Sequence, residues 1–195
     1  MIYIQLSIRT REGAYADIYT ELHRAVAGHW EELLKCPDDQ LLEVLRRGGM
    51  ADVKLRRLRA QLHTIRAAFG EVTLEPLREL ATEAAEEFLV SLPGVGPKAA
   101  RCVLMYSLGR AVFPVDSHCL RVLDRLGFVP SGMDRKKAHD FLQELVPPEI
   151  RFTLHVNLVH HGRLLCTPTN PDCDRCPLLD LCPTGLLRAA PTPDS

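Results

Sequence analysis

Cys166, Cys173, Cys176 and Cys182, four of the chain's seven cysteines, stand in the pattern C-x6-C-x2-C-x5-C. Thiolates in so short a loop are soft ligands, and in a reducing compartment they coordinate a metal instead of pairing as disulfides. All-cysteine zinc sites usually present two C-x2-C knuckles. Only Cys173-Asp174-Arg175-Cys176 has that form, so spacing alone leaves zinc and an iron–sulfur cluster evenly matched. Cys36, Cys102 and Cys119 are scattered through helical segments and read as small core residues.

A second signal is Leu92-Pro93-Gly94-Val95-Gly96-Pro97-Lys98-Ala99-Ala100. The glycines permit a tight turn with exposed amides, and Pro97 suits the first position of a helix. A turn that opens onto a helix N-terminus offers unpaired N–H groups to an anion, so it can grip a phosphate without reading a base. Leu92, Gly94, Val95 and Gly96 are the contact candidates. By itself the hairpin supports only non-specific binding, and Lys98 stands at the start of the helix that follows it. Val115-Asp116-Ser117-His118 then adds a carboxylate. On the residues alone Asp116 reads as the N-cap of a helix running from Cys119 to Leu126. His118 reads as packing.

The elements that must position these residues are helices. Apolar residues recur three and four apart at Ile18, Leu22, Val26; Leu41, Leu42, Leu45; Leu55, Leu58, Leu62, Ile65; Val103, Leu104, Leu108; Leu120, Leu123, Leu126; and Phe141, Leu142, Leu145. Gly and Pro punctuate them, giving many short helices and an all-α class. From Thr167 onward the chain is rich in Pro and Cys, so something besides an apolar core must order it. Apolar content of 46% with 25% charged residues is that of a globular protein with a real core. No apolar run reaches membrane-span length, and the opening residues do not form a signal peptide, which implies a cytosolic place. A net charge of −1 argues against coating nucleic acid by bulk electrostatics, so any DNA contact must be local. Arg46, Arg47, Lys54, Arg56, Arg57, Arg59 and Arg66 form a basic run ahead of an acidic one, and both read as solvated helix faces.

Taken in order, the hairpin, Lys98, Asp116 and the cysteine loop resemble the endonuclease III branch of the helix-hairpin-helix DNA glycosylases, from about Leu6 to Cys182. His161-Gly162-Arg163 matches that family's run into its first cluster ligand, and Val115-Asp116-Ser117-His118 matches its V-D-T-H segment with Ser for Thr. The resemblance implies a six-helix barrel domain (residues 1–111, first helix shortened) and a smaller helical [4Fe–4S] domain (112–195, lacking the family's N-terminal helix), with the active-site cleft between them. It implies a monomer acting near the nucleoid on double-stranded DNA with damaged bases or abasic sites. The implied activity is a bifunctional glycosylase and lyase for oxidised pyrimidines, with Lys98 forming a Schiff base and Asp116 as its carboxylate. Arg9 stands where relatives carry a glutamine that fills the gap left by the extruded base, and Met50 replaces a wedging leucine. The loop between Cys166 and Cys173 lacks the basic residues of relatives, which implies a weaker phosphate grip there. Two other readings stay open: a monofunctional glycosylase in which Asp116 activates water, and a non-catalytic DNA-binding module with a redox cluster. A ferredoxin-like carrier fits poorly, since most of the chain would have no part in it.

Overall fold

The computed structural model describes residues 1–11, 13–130 and 132–189. Every regular element among them is helical, and the chain divides into two compact units, Met1–Arg110 and Ala111–Ser195.

The first unit holds α1 (Ile2–Ser7), α2 (Ala14–Ala25), α3 (Asp38–Leu45), α4 (Ala51–Phe69), α5 (Thr82–Ser91) and α6 (Pro97–Leu108), linked by short 3-10 turns. Its core follows from the three-and-four spacing: Leu6, Ile18, Leu22, Leu33, Leu41, Leu45, Leu55, Leu58 and Leu62 converge in one buried cluster. Truncating any of these leucines to alanine costs about 2–5 kcal/mol through lost transfer energy and the cavity left behind. The central helix α4 ends at Gly70, whose φ of 82° lets its amide reach the Arg66 carbonyl at 2.8 Å. Arg101 on α6 reaches Glu86 on α5 at 2.8 Å, joining the two helices that flank the hairpin.

The basic run does not form one solvated face. Lys54 is only 8% exposed, while Arg47, Arg59 and Arg66 pair with Glu21, Asp38 and Glu31. A four-residue period explains the difference: Lys54 is one turn before Leu58, on the helix stripe that faces the core.

The second unit holds α7 (Ser117–Arg125), α8 (Arg135–Leu145), α9 (Arg151–Leu164) and α10 (Pro183–Ala189). Phe113, Val115, Cys119, Val122, Leu142 and Leu158 form its core. Leu145 is an exception to the periodic pattern and stays 47% exposed at the last turn of α8. Asp134 caps α8, and the backbone amide of Lys137 foremost holds its carboxyl below the usual carboxylate range. Helices α7 and α9 cross at Gly162, where an added Cβ would stand 2.8 Å from that of His118. Beyond the expected loop, the C-terminal stretch forms a short helix, with Pro183 at its first position. No helix among the described residues is long and apolar enough to cross a membrane.

Candidate active site and cluster loop

The hairpin is built from both sides. Val95 N–H bonds the Leu92 carbonyl at 3.0 Å and closes the turn, and Gly94 has φ of 76°, in the region that favours glycine. An added Cβ at Gly94 would also stand 2.7 Å from Arg57 Cδ. Gly96 is different: its backbone is extended and an added Cβ would meet nothing within 4 Å, so its bareness leaves open space before the helix. Leu92 and Val95 are buried, at 1% and 6% exposure, so these two anchor the hairpin while Gly94 and Gly96 stay exposed. No side-chain hydrogen bond caps α6, so its first-turn amides are not taken up by the N-cap residue.

Gln61 on α4 was not legible as part of this site. It is fully buried and its Nε2 donates to the Pro93 carbonyl at 2.7 Å, pinning the hairpin to the central helix. Lys98 is half-buried at the second position of α6, directly behind the hairpin, while Ala99 and Ala100 beside it are buried.

Asp116 belongs to the second unit. It leaves a buried run, Val112 to Val115, and caps α7: Oδ1 accepts from the amides of His118 at 2.9 Å and Cys119 at 2.8 Å. The cap and the catalytic reading are compatible, because capping fixes the direction in which the carboxylate points. Two residues without a sequence signal hold that run in place. Gln143 Oε1 accepts from the Phe113 amide at 2.6 Å, and buried His155 has Nδ1 2.8 Å from the Pro114 carbonyl, so that nitrogen carries the proton and donates.

Arg9 and Met50 are exposed, and both have positive φ, 52° and 54°. Left-handed backbone costs a non-glycine residue on the order of 1 kcal/mol and concentrates where a side chain is held for a purpose. The turns that carry them meet at Lys54, whose Nζ donates to the Gly48 carbonyl at 2.8 Å and to the Thr10 hydroxyl.

Cys166, Cys173, Cys176 and Cys182 line one cavity with Val122, Leu126, Leu165, Leu178 and Leu179. Two arginines of α7 hold the backbone around Cys166. Arg121 donates to the carbonyls of Cys166 at 2.9 Å and Gly162 at 2.7 Å. Arg125 donates to Cys166 Sγ at 3.1 Å and to the carbonyls of Thr167 and Pro168 at 2.7 and 2.8 Å. The loop's missing basic residues are thus matched by arginines reaching in from a helix, where backbone contacts engage them. Gly185 N–H points at Cys182 Sγ from 3.3 Å. Burial pushes the Cys173 thiol up from its ordinary value. Among the described residues, no three His, Cys, Asp or Glu side chains converge as a single-ion site. An all-thiolate set spread round an apolar cavity fits a polynuclear iron–sulfur group better than one tetrahedral zinc.

A glycine hairpin opening onto a lysine-bearing helix, ahead of a four-cysteine loop, defines a helix-hairpin-helix protein with an iron–sulfur segment. Comparison with known proteins narrows this. Residues 166–182 match the family described as the iron–sulfur binding domain of endonuclease III. A protein of Arabidopsis thaliana named as a DNA glycosylase is 32% identical over 84% of this chain. The endonuclease III of Sulfolobus acidocaldarius is 27% identical over the same share. This chain spans 56% of the first relative's length and 71% of the second's. A solved structure of a trapped endonuclease III–DNA covalent intermediate superposes with a TM-score of 0.82 at 26% identity, over 96% of this chain and 83% of that one. In fold, sequence and cluster segment the chain is similar to the endonuclease III-like members of the helix-hairpin-helix DNA glycosylase superfamily.

Proposed function

We propose that this chain excises damaged bases, oxidised pyrimidines foremost, from double-stranded DNA and cleaves the resulting abasic strand by β-elimination at Lys98. The observation that supports this most directly is a half-buried lysine in the first, uncapped turn of α6, immediately behind a hairpin whose glycines stay exposed. The relatives support the class of activity: their names and titles speak of DNA glycosylase, endonuclease III and a covalent DNA intermediate.

A base inside the duplex cannot present C1′ to an amine, so the nucleotide must rotate out, at a cost of a few kcal/mol that is smaller for damaged bases. The hairpin amides hold a phosphate while Arg9 and Met50 occupy the vacated space. Lys98 Nζ, as the free amine, forms a bond to C1′, and the base leaves with the electrons of the glycosidic bond and takes up a proton. Asp116 accepts the proton released by the lysine and stabilises the cationic sugar. Ring opening gives a Schiff base that acidifies the C2′ proton. Loss of that proton expels the 3′ phosphate by breaking the C3′–O bond, and water then releases the lysine.

Cys166, Cys173, Cys176 and Cys182 would hold a [4Fe–4S] cluster, which when bound supplies a cross-link for a segment with little core of its own. Arg121 and Arg125 then act on the loop from α7 by fixing its first ligand. The reading gives a monomer whose partner is DNA.

Borohydride reduction in the presence of abasic duplex is expected to give a covalent adduct, and Lys98→Gln to abolish it. Base release without strand nicking or adduct would favour the monofunctional enzyme using Asp116-activated water, and the absence of all three would leave a DNA-binding module.

A further inference from the structure

Lys54 is the one lysine in the core of the first unit, and nothing in the proposed chemistry uses it. It is 8% exposed, and burial lowers the pKa of its amine from its ordinary value. A methionine or leucine would fill the same space without desolvating a charge, so the polar end must do something packing cannot.

Its hydrogen bonds say what. From one turn into α4, Nζ donates back to the carbonyl of Gly48, two residues before Met50, and across to the hydroxyl of Thr10, the residue after Arg9. The Thr10 hydroxyl lies 2.7 Å from the carbonyl of Leu6 and donates to it, so the chain of bonds continues into α1. Two turns remote in sequence are thereby tied at Lys54 Nζ, which sits over a direct approach of the Thr10 hydroxyl to the Gly48 carbonyl at 3.1 Å. Each carries an exposed, bulky side chain on left-handed backbone. Gly48 is fitted to this arrangement: an added Cβ would stand 3.3 Å from Lys54 Nζ and 2.7 Å from Ile18 Cδ1. Lys54, Arg57, Met50 and Val53 also line a small cavity with Gln5, Leu6 and Ile8, so the clasp sits directly beneath the Met50 turn.

We propose that Lys54 is a positioning residue: by clasping Gly48 and Thr10 it sets Arg9 and Met50 at a fixed separation, so that both enter the duplex together as the damaged nucleotide rotates out. The proposal rests on the reading of Arg9 and Met50 as the residues that fill the gap. It makes extrusion, and not the reaction at Lys98, the step that depends on Lys54.

The test uses a duplex with the fluorescent base 2-aminopurine opposite a stable abasic analogue, which brightens when its stacking is broken. Wild-type chain is expected to brighten it at saturation, and so is Lys98→Gln. Lys54→Met, which keeps volume, and Thr10→Val are each expected to lose most of that signal, and the double variant to lose no more than either. Thr10→Ser, which keeps the hydroxyl, should restore it. Base release from a paired lesion should fall about tenfold in Lys54→Met, the value of the hydrogen bonds removed, with thermal melting measured in parallel. Nicking of preformed abasic DNA, where no base need leave, should change far less. Full brightening and full base release by Lys54→Met would overturn the clasp. So would equal losses on paired and abasic DNA, which indicate a general structural role. Should Arg9→Ala and Met50→Ala also brighten fully while wild-type nicking persists, the gap-filling reading falls and the clasp with it, leaving the lyase intact.

Discussion

At Asp116 the observed helix cap and the proposed catalytic task fall on one side chain, and substitution can separate them. Asparagine still accepts from the His118 and Cys119 amides through its oxygen, so Asp116→Asn should leave stability within about 0.5 kcal/mol. On the proposed mechanism, loss of the carboxylate should slow base release about 10²- to 10⁴-fold, which single-turnover kinetics with urea melts would separate. Lys54 makes a prediction of opposite kind. Its folded form holds its proton less tightly than the ordinary value of 10.5, so between its lowered folded value and 10.5 the unfolded chain binds more protons. Stability of the wild type relative to Lys54→Met should therefore rise with pH across that window; a flat difference in urea melts would contradict the burial argument. Lys98, Asp116 and the four loop cysteines stand out as candidates in the sequence because type and spacing mark them. Lys54 does not, because from sequence it is one cation among seven between Arg46 and Arg66.

The helix α4 ties the site together within the first unit, and its contribution was largely hidden. Its apolar stripe was readable from Leu55, Leu58, Leu62 and Ile65, all of which are buried. Gln61 and Pro93 are 32 residues apart, and no local pattern announces that one amide will meet that carbonyl. Gln61→Leu keeps volume but leaves the Pro93 carbonyl without its donor, at about 1–3 kcal/mol. The hairpin should loosen, weakening affinity for undamaged duplex about tenfold or more by fluorescence anisotropy. In the second unit, α7 plays the corresponding part. Its helical span was readable from Leu120, Leu123 and Leu126, but Arg121 and Arg125 announce nothing about a loop more than 40 residues away. Cys176→Ser should lose the brown colour and iron content of the purified chain and expose the segment after Cys166 to protease, since thiolate ligation supplies its order. Retained colour and protection would show that ordering comes from packing.

For the whole molecule, charge decides how DNA is held. The net charge of −1 and the pairing of Arg47, Arg59 and Arg66 with carboxylates leave Arg46, Arg56 and Arg57 as the exposed cations of the central run. Binding should therefore use few phosphates, with log affinity against log salt sloping at about −3 to −5 where a basic coat of ten contacts gives about −9. The all-α class was plain in the sequence because three-and-four spacing recurs through most of it. The C-terminal helix Pro183–Ala189 was not, since it is short, Gly185 opposes it and the cysteine loop precedes it. Everything proposed for the activity turns on which atom bonds to the sugar. Digestion of the borohydride-trapped adduct, followed by mass spectrometry of the DNA-linked peptide, answers that directly. The account predicts the modification on Lys98; a modification on any other residue, or a base-releasing chain that forms no adduct, contradicts it.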